Sequence, residues 1–167
     1  MTDWSVRRLI GDDWQTHRAV RLAMLLDAPG AYGSTYAREA AFTEETWRER
    51  LDQAVFLAER ADGLPLGAAT LLRLEPEDEP EIVAMWVAGH ARGAGIADAL
   101  VEACREHAVA EGSERVRMHV MLDNPRAIAA YSRLGFTFDG GAGDEDGCAS
   151  MEWRPGVQDA ATKTKNP

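Results

Sequence analysis

The chain has 167 residues, 46% of them apolar and 28% charged, and a formal net charge of −10. A chain this long suits one domain and can bury roughly two thirds of its surface without a disulfide or metal staple. The acidic balance argues against nucleic acid or an anionic membrane as partner, since phosphates demand a basic footprint, and no apolar run is long enough to span a bilayer.

The opening MTDWSVRRLIGDDW lacks the apolar stretch of a signal peptide, so a cytoplasmic location is expected. Cys104 and Cys148 form no framework, and His17, His90, His107 and His119 have no paired spacing, so no metal is expected. A field of negative sign is compatible with a cationic acceptor such as an amine. The arginines at 92, 105, 115, 117, 126 and 133 gather in the second half, where an anionic cofactor is placed.

In chain order, WSVRRLI (4–10) reads as a strand. Asp12 and Asp13 offer an N-cap to a helix reaching about Leu26, with Trp14, His17, Val20, Arg21 and Met24 at helical spacing. DAPGAYGST (27–35) is a loop by its Pro and Gly content. A second helix is predicted over 43–53, capped by Thr43. VFLAERA (55–61) and PLGAATLLRL (65–74) are strands joined through the hairpin signal Asp62-Gly63. EPEDEP (75–80) is an acidic loop. EIVAMWV (81–87) is almost continuously apolar, which predicts a central strand buried on both faces.

A Gly-rich turn then feeds a helix whose Ala97, Leu100, Val101, Cys104 and Ala108 share one face, and Gly112 ends it. RVRMHVML (115–122) is a strand. Asn124-Pro125 opens a helix, Asn as N-cap and Pro at the first helical position, and that helix stops at Gly135. FTFDG (136–140) and CASMEW (148–153) are short closing strands. The polar tail 155–167 lacks core residues and is predicted to be disordered, leaving 1–154 as the domain. The order β-α-α-β-β-β-α-β-α-β-β describes an α/β (α+β) fold, a mixed sheet with helices packed on it.

The strongest chemical signal is Arg92-Gly93-Ala94-Gly95-Ile96-Ala97, between a buried strand and a helix. Glycines let the backbone approach a phosphate, and a helix start presents free N–H groups and partial positive charge. A bare Gly-rich turn would read as a tight turn with no ligand. A Walker loop is discounted, since no Gly-Lys-Ser/Thr follows. A Rossmann fingerprint, and with it a dinucleotide-binding oxidoreductase, is discounted because Asp98 stands where a third Gly or Ala belongs and the loop follows the fourth strand.

The segment resembles the signature of the GNAT superfamily of N-acetyltransferases, Arg/Gln-x-x-Gly-x-Gly/Ala, matched by Arg92, Gly95 and Ala97. Val87 matches the valine that ends the family's fourth strand, while Gly89 departs from the proline often found there. Asn124, Ala127, Tyr131, Gly135 and Phe136 resemble the family's second signature, in order. The match covers residues 81–139. The resemblance implies the GNAT fold, a mixed and mostly antiparallel sheet of about seven strands with four main helices.

It further implies acetyl-coenzyme A as cosubstrate and no metal. Met85, Trp86 and Val87 would pair through their main chain with the pantetheine arm. Arg92, Gly93, Ala94, Gly95, Ile96 and Ala97 would hold the pyrophosphate, and Asn124 would contact the arm while also capping its helix. Tyr131 matches the general acid that protonates the departing thiolate, with plain core packing as the rival reading. Glu81 sits where some members carry a general base, with a relayed water or a merely solvated carboxylate as the rivals. The acceptor site would fall in 27–47. There Phe42 and Trp47 read as core and the neighbouring glutamates as solvated, while Tyr32, Tyr36 and Glu39 border the pocket and suit a cationic amine. The expected activity is acetyl transfer to a primary amine of a small molecule or peptide by direct attack in a ternary complex. The alternative is a non-catalytic acyl-coenzyme A-binding module, against which Tyr131 argues. The expected partners are the cosubstrate and an amine, with a homodimer left open and no nucleic acid or membrane.

Overall fold

In the computed structural model, which describes residues 3–76, 78–141, 143 and 146–156, the apolar alternating segments pair into one seven-stranded sheet. The strands are β1 (Trp4–Arg8), β2 (Ala54–Arg60), β3 (Pro65–Leu72), β4 (Glu81–Val87), β5 (Val116–Met121), β6 (Thr137–Phe138) and β7 (Cys148–Trp153). Their spatial order is β1-β2-β3-β4-β5-β7-β6. Every neighbouring pair is antiparallel except β4 and β5.

Among the described residues there are five helices: α1 (Trp14–Asp27), α2 (Tyr36–Ala40), α3 (Glu44–Glu49), α4 (Ile96–Ala110) and α5 (Pro125–Arg133). α4 packs on β2, β3 and β4, while α2 and α3 pack on α1. Period-two alternation along the central strands feeds two cores. Phe56, Ala58, Ala69, Leu71 and Ile82 face α4, which buries Ile96, Leu100, Val101, Cys104 and Ala108. Val55, Leu57 and Ala68 face the other way, onto Val20 and Met24 of α1 and Leu51 just past α3. Gly67 lets α4 lie close to the sheet. A Cβ there would come within 2.8 Å of the Trp86 carbonyl oxygen and 2.9 Å of Ile96 Cγ2.

The elements follow the predicted order with one addition. α2 lies just past the loop read at 27–35, in a stretch to which no element is assigned, because the Thr35 hydroxyl accepts from the Arg38 N–H and caps a helix too short to show periodicity. Thr43 caps α3 and Asn124 caps α5 as read. The first strand stops at Arg8 rather than residue 10, because the Ile10 N–H turns to the Asp13 carboxylate, 2.9 Å away. The tail beyond Gly156 lies outside the described residues. Among the described residues no helix is long and apolar enough to cross a membrane.

The expectation for 81–87 needs correction. Only Ile82 of β4 is buried, and the other six residues are half-buried. The cause is the register. β4 pairs with β5 only at Glu81↔Arg117 and Ile82↔Met118, and then the two strands part. On its other edge β4 carries a bulge, since Ala68 pairs with Trp86 but Thr70 with Val83. Ala84 sits in the bulge at φ 52, the one described non-glycine residue in the left-handed region. Holding an alanine there costs on the order of 1 kcal/mol or more.

Candidate active site

Past Ile82, the edge of β4 that faces β5 has no strand partner. An open edge of this kind accepts an extended molecule in place of a strand. Neighbouring side chains hold its geometry. The Tyr32 hydroxyl donates to the Met85 carbonyl at 3.2 Å, and the Trp86 indole N–H donates to Asp27 at 2.9 Å. Arg92 Nε donates to the Val87 carbonyl at 3.2 Å, and its guanidinium lies 3.6 Å from Asp27.

The chain leaves β4 through a short 3-10 turn and enters α4 across the Gly-rich loop. Gly93 and Gly95 have φ of 81° and 80°, so both need the left-handed region. Gly95 is the N-cap of α4 and offers no side chain to the first-turn N–H groups. Those of Ile96 and Ala97 therefore open a fifteen-residue helix with no side-chain cap among the described residues. Asp98, in the same first turn, is matched by Arg133 at 2.8 Å. A helix start without a side-chain cap favours an anion on electrostatic grounds.

A Gly95→Val variant tests this directly. No neighbour lies within 4 Å of a Cβ at this position, so the fold has room for the side chain. A β-branched residue cannot hold φ near 80°, so the loop must move. Affinity for acetyl-coenzyme A is expected to fall about tenfold or more by calorimetric titration. Unchanged affinity in the folded variant removes the loop from the site.

α5 follows β5 in the chain. Asn124 Oδ1 accepts from the Ala127 N–H at 3.1 Å, so the residue is the N-cap and keeps its amide NH2 for other use. Tyr131 packs edge-on against Phe136, ring centres 6.4 Å apart. Burial raises its phenol above the ordinary value. Tyr32 is raised as well, first by burial, which outweighs the lowering charge of Arg21.

Glu81 does not stand alone. Its Oε1 lies 2.7 Å from His119 Nδ1, across the short stretch where β4 and β5 still touch. The sequence reading missed His119, because a parallel register that places residues 81 and 117 side by side leaves no mark in either strand's composition.

On the α1 side of β4 a cavity of about 450 Å³ runs from the Ala84 bulge to α1. Tyr32 lines it, with Arg21, Arg50 and His17. Tyr36 opens α2 and is exposed, away from that lining. Glu39 is 1% exposed, and both its oxygens accept from Arg21, at 2.9 and 2.8 Å. Arg50 lies a further 3.6 Å from it. Its carboxylate is thus committed to two arginines and is not free for a cationic acceptor. Burial, and then the charges of Arg50 and Arg21, push the His17 imidazole down from 6.5 to about 4.

That depression has a pH consequence. The unfolded chain binds the His17 proton more readily, so the stability due to neutral His17 is complete above 6.5 and is lost as pH falls towards 4. The loss reaches up to about 3 kcal/mol. Urea unfolding at pH 7 and at pH 4.5 measures it, and His17→Gln should flatten the slope. Equal slopes for both chains would contradict the assignment.

A sheet that splays over a bare helix start is a frame for gripping an extended, phosphate-bearing molecule. The chain belongs to the acetyltransferase (GNAT) family, whose model matches residues 20–136. A stretch of 76 residues is 37% identical to the mycothiol acetyltransferase of Corynebacterium efficiens, covering 46% of this chain and 26% of that protein. The chain therefore matches about a quarter of that relative's length. Among solved structures, a GNAT-family acetyltransferase from Streptococcus pneumoniae is similar with a TM-score of 0.74 at 19% identity, over 90% of this chain and 99% of that one. Spermidine N-acetyltransferase from Vibrio cholerae, solved with CoA and spermine, is similar with a TM-score of 0.68 at 18% identity, over 91% and 95%. At these identities the structural likeness is one of fold.

Proposed function

We propose that the chain is an N-acetyltransferase that moves the acetyl group of acetyl-coenzyme A to a primary amine of a small molecule or peptide, by direct attack in a ternary complex. The observation that carries this reading is the parting of β4 from β5 beside the uncapped start of α4. One open strand edge and one anion site then lie in line for a single long cosubstrate. Met85, Trp86 and Val87 take the pantetheine arm along the open edge, and Arg92 to Ala97 take the pyrophosphate. Asn124 reaches the arm from the mouth of α5.

The chemistry follows from the groups around this path. The amine nitrogen attacks the thioester carbonyl carbon, and a β4 backbone N–H near Trp86 or Val87 meets the charge that develops on oxygen. The bulge at Ala84 supports this role, since it turns the strand out of its ladder just before those residues. The carbon–sulfur bond then breaks, and Tyr131 gives its proton to the departing thiolate. An amine is mostly protonated at neutral pH and must lose a proton before attack. Glu81 and His119 supply the base. With the proton on Nδ1, His119 donates to Glu81 and turns Nε2 outward to accept a proton, directly or through water.

The test is thiol release from acetyl-coenzyme A with a panel of primary amines, the product identified by mass spectrometry as an N-acetyl amine. Amine-dependent release is expected. Tight cofactor binding with no release by any amine would contradict the reading and leave a non-catalytic binder.

A further inference from the structure

The cavity beside the Ala84 bulge has an unexpected charge for so acidic a chain. Arg21 and Arg50 line it, and none of its lining residues is acidic. Glu39 sits behind Arg21 and neutralises one of the two guanidinium groups, which leaves one positive charge facing the cavity. His17, held down to about 4, is neutral and adds no charge. Gln53 is committed to the main chain of Arg73 in both directions, at 3.0 and 2.8 Å.

The guanidinium groups are also under-bonded. Arg21 Nη1 and Arg50 Nε are sealed from solvent and make no hydrogen bond among the described residues. Buried donors are nearly always paired, so this lining is short of acceptor atoms. The Arg50 guanidinium lies over the rings of Phe42 and Trp47, at 5.6 and 5.5 Å, which fixes its position. About a third of its side chain stays open to solvent. Arg21 lies over the Tyr32 ring at 5.1 Å, and Tyr32 in turn bonds to Met85 of the cleft. The cavity is thus tied to the reacting end of β4 while presenting a fixed cation.

We propose that the acceptor is an amino carboxylate, an amine whose own carboxylate is taken by Arg50 with Arg21 behind it. The proposal rests on the acetyl-transfer reading for its amine, and on the cavity alone for its carboxylate. A planar carboxylate is the acceptor that a guanidinium fork matches best. An amino carboxylate is also zwitterionic at neutral pH, so the chain's net charge of −10 does not repel it at long range. A polyamine, by contrast, would bring cations to a cavity that already holds an unmatched one.

The experiment uses matched compounds with the full chain. Thiol release is measured for an α-amino acid, its amide and its decarboxylated amine, with spermidine alongside. The acid is expected to exceed both partners in kcat/KM by about tenfold or more. Arg50→Gln should erase that preference and Arg50→Lys should keep part of it. A second measurement needs no turnover. With coenzyme A bound, an N-acetyl amino acid should bind about tenfold or more tighter than its amide by calorimetry. Preference for the amide, the decarboxylated amine or spermidine overturns the proposal, as does an acid preference that survives Arg50→Gln. Turnover of amines without acid preference leaves acetyl transfer standing and removes the carboxylate. Acid-selective binding without any turnover does the reverse.

Discussion

Tyr131→Phe is expected to lower kcat about 10²-fold, equivalent to about 2.7 kcal/mol of transition-state stabilisation, with cofactor affinity nearly intact. The ring stays, so its packing on Phe136 stays. What is lost is a proton held on a half-buried phenol that burial keeps above the ordinary tyrosine value. Among the described residues the hydroxyl has no hydrogen-bond partner, so its loss leaves no other polar group stranded. The check is steady-state kinetics beside a calorimetric titration with acetyl-coenzyme A. Full activity would mean that water protonates the thiolate. A parallel collapse of cofactor affinity would instead mean that Tyr131 shapes the cleft.

Glu39→Ala is expected to destabilise the fold by roughly 3–5 kcal/mol, a large share of an ordinary domain's stability. The variant leaves the Arg21 guanidinium, 8% exposed, without the carboxylate that holds it by two bonds. Burial alone would raise the Glu39 carboxyl, but the bonds from Arg21 and Ser34 and the charges of Arg21 and Arg50 outweigh it and lower it. Its contribution is therefore present above 4.5 and lost as pH falls through the lowered value. Urea unfolding of the variant measures the cost. The double variant Glu39→Leu with Arg21→Met removes both charges and should recover much of the loss, since apolar replacement of a buried pair is often neutral. A single variant as stable as the parent would contradict the account.

The two signatures were legible for a physical reason. A left-handed backbone at residue 95 needs glycine, and a helix opened by Asn124-Pro125 needs that cap and that fixed φ. Local geometry of this kind is written in local residues. Sheet register is not. Nothing in EIVAMWV announces that β5 departs after Ile82, or that Ala84 takes φ 52, and both shape the cleft. The apolar run reads as doubly buried because its composition does not show that the strand loses its β5 partner after Ile82. The same blindness hid His119, which meets Glu81 only through that register.

The acceptor side was the least legible. Tyr32 was singled out because an aromatic in a Pro- and Gly-rich loop has few core reasons to be there, and it lines the cavity. Glu39 looked like a free carboxylate because α2 is too short to show a buried face. Its direction is set by Arg21, eighteen residues earlier on α1. Residues 17 and 21 carry only helical periodicity in the sequence, and residue 50 shows nothing beyond its place in the helix predicted over 43–53. Their convergence on one cavity depends on how α1 and the turn after α3 cross the sheet.

The central claim is that acetyl-coenzyme A lies along the open edge of β4 with its pyrophosphate at the start of α4. Amide hydrogen exchange with and without acetyl-coenzyme A tests it most directly. Slowed exchange is expected in β4 between residues 83 and 87 and across residues 92–97, with β1 and β2 unchanged. Protection confined to other elements, with these two segments exchanging as in the free chain, would contradict it.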